Sequence, residues 1–423
     1  MRVAGFIADR IAFSKPRDTG RMGSFSRFII RLSTAATIIS VAVMVVTLAL
    51  ANGFQQAVSQ KIFSFLGHLR IQEKQPEKAI ISEETVIIAN DTLAQLIKQN
   101  PDVKTIYPFA TKYAMVKSKE EIDGVLIKGL DTSYDFNQVK QFIKEGGPLH
   151  YNDSSYSREI MISAYTASRL KIKLNDPLFV YFIRSNGTIR PDKLTVVGIF
   201  KTGIEDYDKT FAIGDLRLIQ QARRDMYNTD TWNKEIGGYE VILNNYKNID
   251  KVVKEVYDLN SFPLTWNTVS VKDISPNIFD WLNLQDKNGQ VLIGFMVIIA
   301  VINLVTCLLI LVLERVRMIG ILKSLGATDW TVQRIFLRHS LIIAARGIFF
   351  GALAALLLLW LQQSTGFLRL PEDAYFMDKA AVKITWWEVA AICGGTLLVC
   401  VLVMMIPSLL VRRIQPVKAI QFR

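Results

Sequence analysis

LSTAATIISVAVMVVTLALANGFQQAVSQ, residues 32–60, contains no charged side chain. A helix needs about 20 consecutive apolar residues to cross a hydrocarbon core, so this stretch is long enough to span a membrane. Three more uncharged runs follow, at 288–313, 347–368 and 389–411. Their spacing is uneven, because a polar block of well over 200 residues separates the first from the second. The pattern predicts a membrane α-helical protein with four transmembrane helices and a large α+β domain inserted between helices 1 and 2.

Charge placement orients the chain. Seven basic residues against two acidic lie in 1–31, five against two in 314–338, and four against none in 412–423; these segments account for the whole formal net charge of +12. Short loops rich in Lys and Arg stay on the cytoplasmic side, so both termini are predicted cytoplasmic and the inserted block external. That block balances 30 basic with 30 acidic residues. Its neutrality argues against a polyanionic ligand, and the positive excess is a topology signal, not a nucleic-acid footprint.

The segments follow from these runs. Residues 1–27 form a cytoplasmic N-terminal region with an amphipathic helix at 2–13, where Val3, Phe6, Ile7 and Ile11 oppose Arg2, Asp9 and Arg10. The first apolar run is about twice the length of a signal-peptide core and has no small-x-small cleavage site after it. Spans are expected at 28–52, 288–313, 339–365 and 386–411. The outer domain occupies 53–287, a cytoplasmic loop 314–338, a short external loop 366–385, and a cytoplasmic tail 412–423.

Within the outer block, alternating or β-branched runs at 68–72, 125–128, 159–162, 194–200 and 239–243 predict strands. Helical spacing appears at 92–99, 164–170, 215–222 and 249–259. The loose strand-then-helix repeat favours two α+β lobes over one continuous sandwich.

Enzyme chemistry has no carrier here. The chain has no Gly-Lys dipeptide and therefore no Walker A loop. Its three histidines, His68, His150 and His339, form no HExxH pair, and no GxSxG elbow occurs. Cys307, Cys393 and Cys400 all fall in apolar runs, which leaves the outer domain without a disulfide or a cysteine metal site. If the chain uses energy, another subunit supplies it.

The sharpest local signal is ERVRMIGILKSLGAT, residues 314–328. A short helix bearing Met318, Ile319, Ile321, Leu322 and Leu325 is predicted to stop at Gly326, which suits a left-handed position after the C-cap. Thr328 or Asp329 can cap the next helix. A brief amphipathic helix along the inner surface is a lever that can push the spans it joins.

That segment, the preceding AVINLVTCLLILVLE (300–314), the external KLTVVGIFKTGIEDYDKTFAIGDLRLIQ (193–220), FIADRIAF (6–13), ANGFQQAV (51–58) and the tail PSLLVRRIQPVKAIQFR (407–423) resemble the lipoprotein-releasing (Lol) permeases. These belong to the wider group of ABC transporter permeases that includes the MacB and FtsX types. The resemblance runs end to end. It implies four spans per subunit, an α+β periplasmic domain after the first, and two permease subunits, identical or paralogous, working with two copies of a separate ATPase. It implies extraction of lipoproteins from the inner membrane and delivery to a periplasmic chaperone, with no cofactor in this chain and ATP and Mg on the partner.

Residue by residue, the resemblance implies an ATPase-coupling segment of Leu322, Lys323, Leu325, Gly326, Ala327 and Thr328, flanked by Glu314. It implies a lipoprotein cavity walled by Met44, Leu48, Phe54 and Val58 from the first span and Phe295, Ile299 and Ile302 from the second. A chaperone-docking hairpin would include Arg184, Asn186, Arg190 and Pro191, although here it is only the short IRSNGTIRP (183–191) around a Ser-Asn-Gly turn. In the third span, Gly347 and Gly351 keep a close-packing GxxxG beside Arg346. Two other readings stay open: a non-transport scaffold that activates a periplasmic hydrolase, and mechanical transmission for efflux.

Overall fold

The computed structural model describes residues 22–75, 83–152, 155–183, 189–227 and 231–408. The amphipathic segment at 2–13 and the tail at 412–423 lie outside the described residues. In chain order the elements begin with helix α1 (Met22–Leu66), strands β1 (Leu69–Glu73) and β2 (Ile87–Ile88), and helix α2 (Asp91–Lys98). Next come β3 (Val103–Lys117), β4 (Ile122–Leu130), β5 (Ile143–Gly146), β6 (Glu159–Ser163), α3 (Ala164–Leu170), β7 (Pro177–Ile183) and β8 (Ile189–Phe200). They are followed by α4 (Glu205–Thr210), β9 (Phe211–Asp215), α5 (Leu216–Tyr227), β10 (Glu235–Ile236), β11 (Gly238–Leu243), α6 (Ile249–Tyr257), β12 (Trp266–Ser270) and α7 (Val271–Ile274). The last five are α8 (Pro276–Glu314), α9 (Val316–Ser324), α10 (Asp329–Thr365), α11 (Glu372–Tyr375) and α12 (Trp386–Ser408).

The chain divides into two compact units: Met1–Gln56, Leu282–Arg369 and Lys379–Arg423 form one, and Ala57–Trp281 with Leu370–Asp378 the other. Among the described residues, four helices are long and apolar enough to cross a membrane: α1, α8, α10 and α12. Away from its ends a helix satisfies its backbone hydrogen bonds internally, as a lipid environment requires. Three of the four outrun the apolar signal, since α1 continues through polar Gln55, Gln56 and Lys61 to Leu66, α8 starts at Pro276 and α10 starts at Asp329.

In the membrane unit, Val41, Met44, Val45 and Ala49 of α1 cluster with Ile348, Ala355 and Leu359 of α10. The two glycines of the GxxxG make that approach close: a Cβ on Gly347 would stand 2.7 Å from Thr37, and one on Gly351 2.7 Å from the carbonyl of Ile38. A second cluster joins α8, α9, α10 and α12 through Leu308, Ile319, Phe336 and Met404.

In the outer unit, the described strands form one ten-stranded sheet in the order β12-β1-β11-β3-β4-β9-β6-β8-β5, with β7 paired to β3 and β8. A small β10–β2 pair stands apart. This corrects the expectation of two lobes. The joining element is β3, whose 15 residues pair with β11 at one end and β7 at the other while β4 runs alongside. The loop after α10 is also not a free connection, because Leu370–Asp378 belongs to the outer unit. Lys201 forms an ion pair with Glu372, and Lys61 Nζ donates to the carbonyls of Thr202 (2.7 Å) and Phe376 (2.6 Å).

Candidate functional site

The coupling segment folds as its residues dictate. In α9, Ile319 and Gly320 are buried, Met318 and Leu322 pack partly against the same cluster, and Ile321 faces outward. Gly326 takes φ +91°, where a side chain would be strained, and its N–H donates to Lys323 O at 3.0 Å. Ala327 N–H returns to Leu322 O at 2.9 Å, which closes the helix end. Thr328 then caps α10 by accepting from Thr331 N–H, and Lys323 pairs with Asp329 at 2.8 Å across the turn. Leu325 sits at the apex, 80% exposed. Glu314 is the last residue of α8.

The seven residues proposed to wall a cavity do not share one surface. Phe295, Ile299 and Ile302 are on the open face of α8 with Val291 and Ile298, spaced three and four apart as one helical stripe requires. Met44 is fully buried against α10, Val58 is fully buried in the outer unit, and Leu48 and Phe54 are half-buried. Met44 and Val58 are therefore packing residues of this chain. For Met44 the reason is rotational: α1 turns its Val41–Met44–Val45 stripe toward Ile348, Ala355 and Leu359 of α10.

Polar side chains tie the spans together. Asn303 of α8 donates to Ser33 O at 2.9 Å, Gln55 donates to Asp286 at 2.9 Å, and Asn52 donates to Glu388 at the start of α12. Of the hairpin residues, Arg184 and Asn186 lie outside the described residues. Arg190 and Pro191 stand in β8 opposite Phe182 and Tyr181 of β7, with Pro191 exposed.

The histidines behave as structural groups. His68 stacks on Phe63 at 4.3 Å and accepts from Leu243 N–H at 3.3 Å, and burial pushes its pKa down to about 4. His150 is exposed beside Glu159, and His339 lies inside α10.

Sequence reasoning missed the best-organised polar site, at the C-terminal end of α1 in the outer unit. The last four carbonyls of a helix have no partner within it. Here Gly67 N–H donates to Phe63 O (3.0 Å), Tyr134 Oη to Ser64 O (3.2 Å), Lys128 Nζ to Phe65 O, and Arg70 Nε to Leu66 O (3.3 Å). Glu240 neutralises both cations, accepting from Arg70 Nη2 at 2.5 Å and Lys128 Nζ at 2.7 Å. Arg70 also approaches Glu84 at 3.9 Å. Phe109 lies 4.6 Å from the Arg70 guanidinium, and Phe65 5.2 Å from the Lys128 ammonium. Burial is the main cause that lowers the Lys128 pKa to about 8. The signal was present as single charges inside apolar strands: Lys128 in GVLIKGL and Glu240 in GGYEVIL.

Four spans, an α+β unit inserted after the first, and a glycine-terminated helix between the second and third define a transporter-type permease subunit. The sequence profile of the MacB-like periplasmic core domain matches residues 32–259, and that of the FtsX-like permease C-terminal region matches 291–416. The first covers more than half of the chain, which therefore belongs to the MacB-like periplasmic core domain family. The chain is 23% identical over 414 residues to the lipoprotein-releasing system transmembrane protein LolE of Haemophilus influenzae, covering 93% of this chain and 94% of that protein. It is 22% identical over 420 residues to the lipoprotein-releasing system transmembrane protein LolC of Neisseria meningitidis serogroup B, covering 95% and 96%. Among solved structures, the periplasmic region of MacB from Actinobacillus actinomycetemcomitans aligns with 52% of this chain and 96% of that one, at 10% identity and a TM-score of 0.35.

Proposed function

We propose that this chain is a permease subunit of an ABC transporter that extracts lipoproteins from the inner membrane for release toward a periplasmic chaperone. The observation that carries the reading is similarity along nearly the full length of both proteins to LolE and LolC, spans and inserted domain together. The scaffold and efflux readings have no comparable support. Both termini face the cytoplasm in this reading, as the basic segments 1–31, 314–338 and 412–423 require. A separate ATPase grips the Leu322–Thr328 turn, and a second permease, identical or paralogous, completes the pathway.

The open stripe of Phe295, Ile299 and Ile302 is the face of this chain suited to acyl chains. Each buried CH₂ contributes about 0.8 kcal/mol, so chain area alone gives strong but sequence-blind binding. A photo-crosslinker at Phe295 or Ile299 should capture a cargo carrying a diacyl or triacyl anchor and spare the same protein without one. ATP should reduce the captured fraction by favouring a closed state. No anchor-dependent product, together with crosslinks to a soluble partner from the outer unit alone, would overturn transport in favour of a scaffold.

A further inference from the structure

A cavity of about 580 Å³ opens in the outer unit where Gln60, Phe63 and Ser64 of α1 face the start of β3, the end of β11 and the 135–141 segment between β4 and β5. That volume suits a small ligand. The sheet is deformed to build it: Leu243 pairs with Val103 and Ile242 with Thr105, which leaves Lys104 as the extra residue of a β-bulge. A bulge re-aims the side chain it carries, and Lys104 lines the cavity. At the same place Leu243 N–H donates to His68 Nδ1 at 3.3 Å, so the ring proton of His68 sits on Nε2 as a donor in the cavity wall. Burial first, and then the Lys104 charge, lower the His68 pKa to about 4, which keeps the ring neutral at physiological pH.

The lining sums to no charge and mixes donors with acceptors. Lys104 brings one positive charge and Asp135 one negative. Around them stand the carboxamides of Gln60, Asn137, Gln138, Gln141 and Asn244, each carrying both a donor group and an acceptor. They are lightly engaged. Gln141 reaches Ser64 Oγ only at 3.5 Å, while Asn137 and Asn244 donate through their amide nitrogens, to Asp135 Oδ1 at 2.9 Å and Pro101 O at 3.0 Å.

The ligand class follows by fit. A phosphate-rich polyanion would meet Asp135 as well as Lys104, and a polycation would meet the reverse. An extended peptide is best taken by an open strand edge, yet β3 and β11 are paired with each other here. A neutral ligand dense in hydroxyl groups satisfies the whole lining, with its C–H faces against Phe63, Ile242 and Leu243.

We propose that this cavity is a saccharide-binding site of the outer unit, which takes a short uncharged oligosaccharide. Lys104 and His68 Nε2–H donate to hydroxyl oxygens, Asp135 accepts from a hydroxyl, and the carboxamides bridge neighbouring hydroxyls. The site is separate from the acyl stripe on α8 and from the turn at Gly326, and it stands whether or not the chain moves lipoproteins.

The test uses the assembled permease–ATPase complex in lipid nanodiscs, prepared without a sugar-based detergent, and saturation-transfer NMR with triacetylchitotriose and with maltotriose. At least one trisaccharide should bind with a Kd of about 1 mM or tighter. Gln138→Leu/Gln141→Leu, which removes two carboxamides from the rim, should weaken it about tenfold with the melting midpoint unchanged. Lys104→Met, at an exposed position, should weaken it several-fold. Tetraalanine and inorganic phosphate should leave the bound sugar in place. No transfer to either trisaccharide at about 10 mM, equal binding by the double variant, or displacement of the sugar by the peptide or by phosphate would overturn the site.

Discussion

Helices α1 and α9 both end on a glycine in the left-handed region, Gly67 (φ +74°) and Gly326 (φ +91°), and there the likeness stops. A Cβ on Gly67 would meet Glu240 at 3.2 Å and Val241 O at 3.4 Å, whereas one on Gly326 would meet nothing within 4 Å. At the first end, three side chains take carbonyls that the helix leaves open. At the second, the glycine turn and a threonine cap close the backbone by themselves, and Leu325 is left in the open. The same local rule thus serves opposite purposes. An enclosed end is fixed to its own domain, and an open end is offered to something else.

The largest effect should come from breaking the enclosed end. Lys128→Met alone leaves Glu240 buried with half its partners, a change that costs about 3–5 kcal/mol. For a unit of this size that lowers the melting midpoint by about 10 °C. Adding Arg70→Met and Glu240→Leu, which removes the three closely paired charges together, should recover most of it, and a triple variant no better than the single one would mean the cluster acts through its packing.

The open end should answer differently, in function more than in stability. Gly326→Pro forces φ to about −65° and removes the N–H that reaches Lys323 O. Cargo release per ATP should drop about tenfold or more while the complex still assembles and hydrolyses ATP. Gly326→Ala, which has room for its methyl group and only the left-handed strain of about 1–2 kcal/mol, should lose less. Equal loss from alanine and proline would show that the turn's shape is not what the partner reads.

Smaller effects sharpen the contrast. Thr328→Ala removes the cap of α10 and should cost about 1 kcal/mol, seen as faster hydrogen exchange at Thr331. Asn303→Leu removes one interhelical bond to Ser33 O, and such bonds average about 0.6 kcal/mol in membranes, so assembly should survive it.

How far these features could be read from sequence differs by the same logic. The glycine turn at Gly326 was legible because its signal is local: an amphipathic run, a glycine, then a capping threonine. The four spans were legible because lipid excludes charge. The helical continuation of α1 through Gln55, Gln56 and Lys61 was hidden, since it carries the polar residues that normally announce a loop. Strand β3 was hidden by Pro108, which lacks the N–H a strand interior usually needs, although here it stands opposite Tyr239. The rotational setting of α1 was unreadable because a helix apolar on all sides has no face to read. Met44 therefore reads like any cavity residue until Ile348, Ala355 and Leu359 of α10 are in place. The carbonyl socket is the most non-local feature of all, assembled from residues more than a hundred positions apart.

The most direct measurement reconstitutes the chain with its ATPase and permease partners in proteoliposomes, using one reporter protein with and without a diacyl anchor. ATP-dependent appearance of the anchored form in the soluble fraction, with a chaperone present and the unanchored form neither bound nor processed, is the predicted result. ATP hydrolysis that proceeds normally while the anchored reporter stays in the membrane would contradict the account.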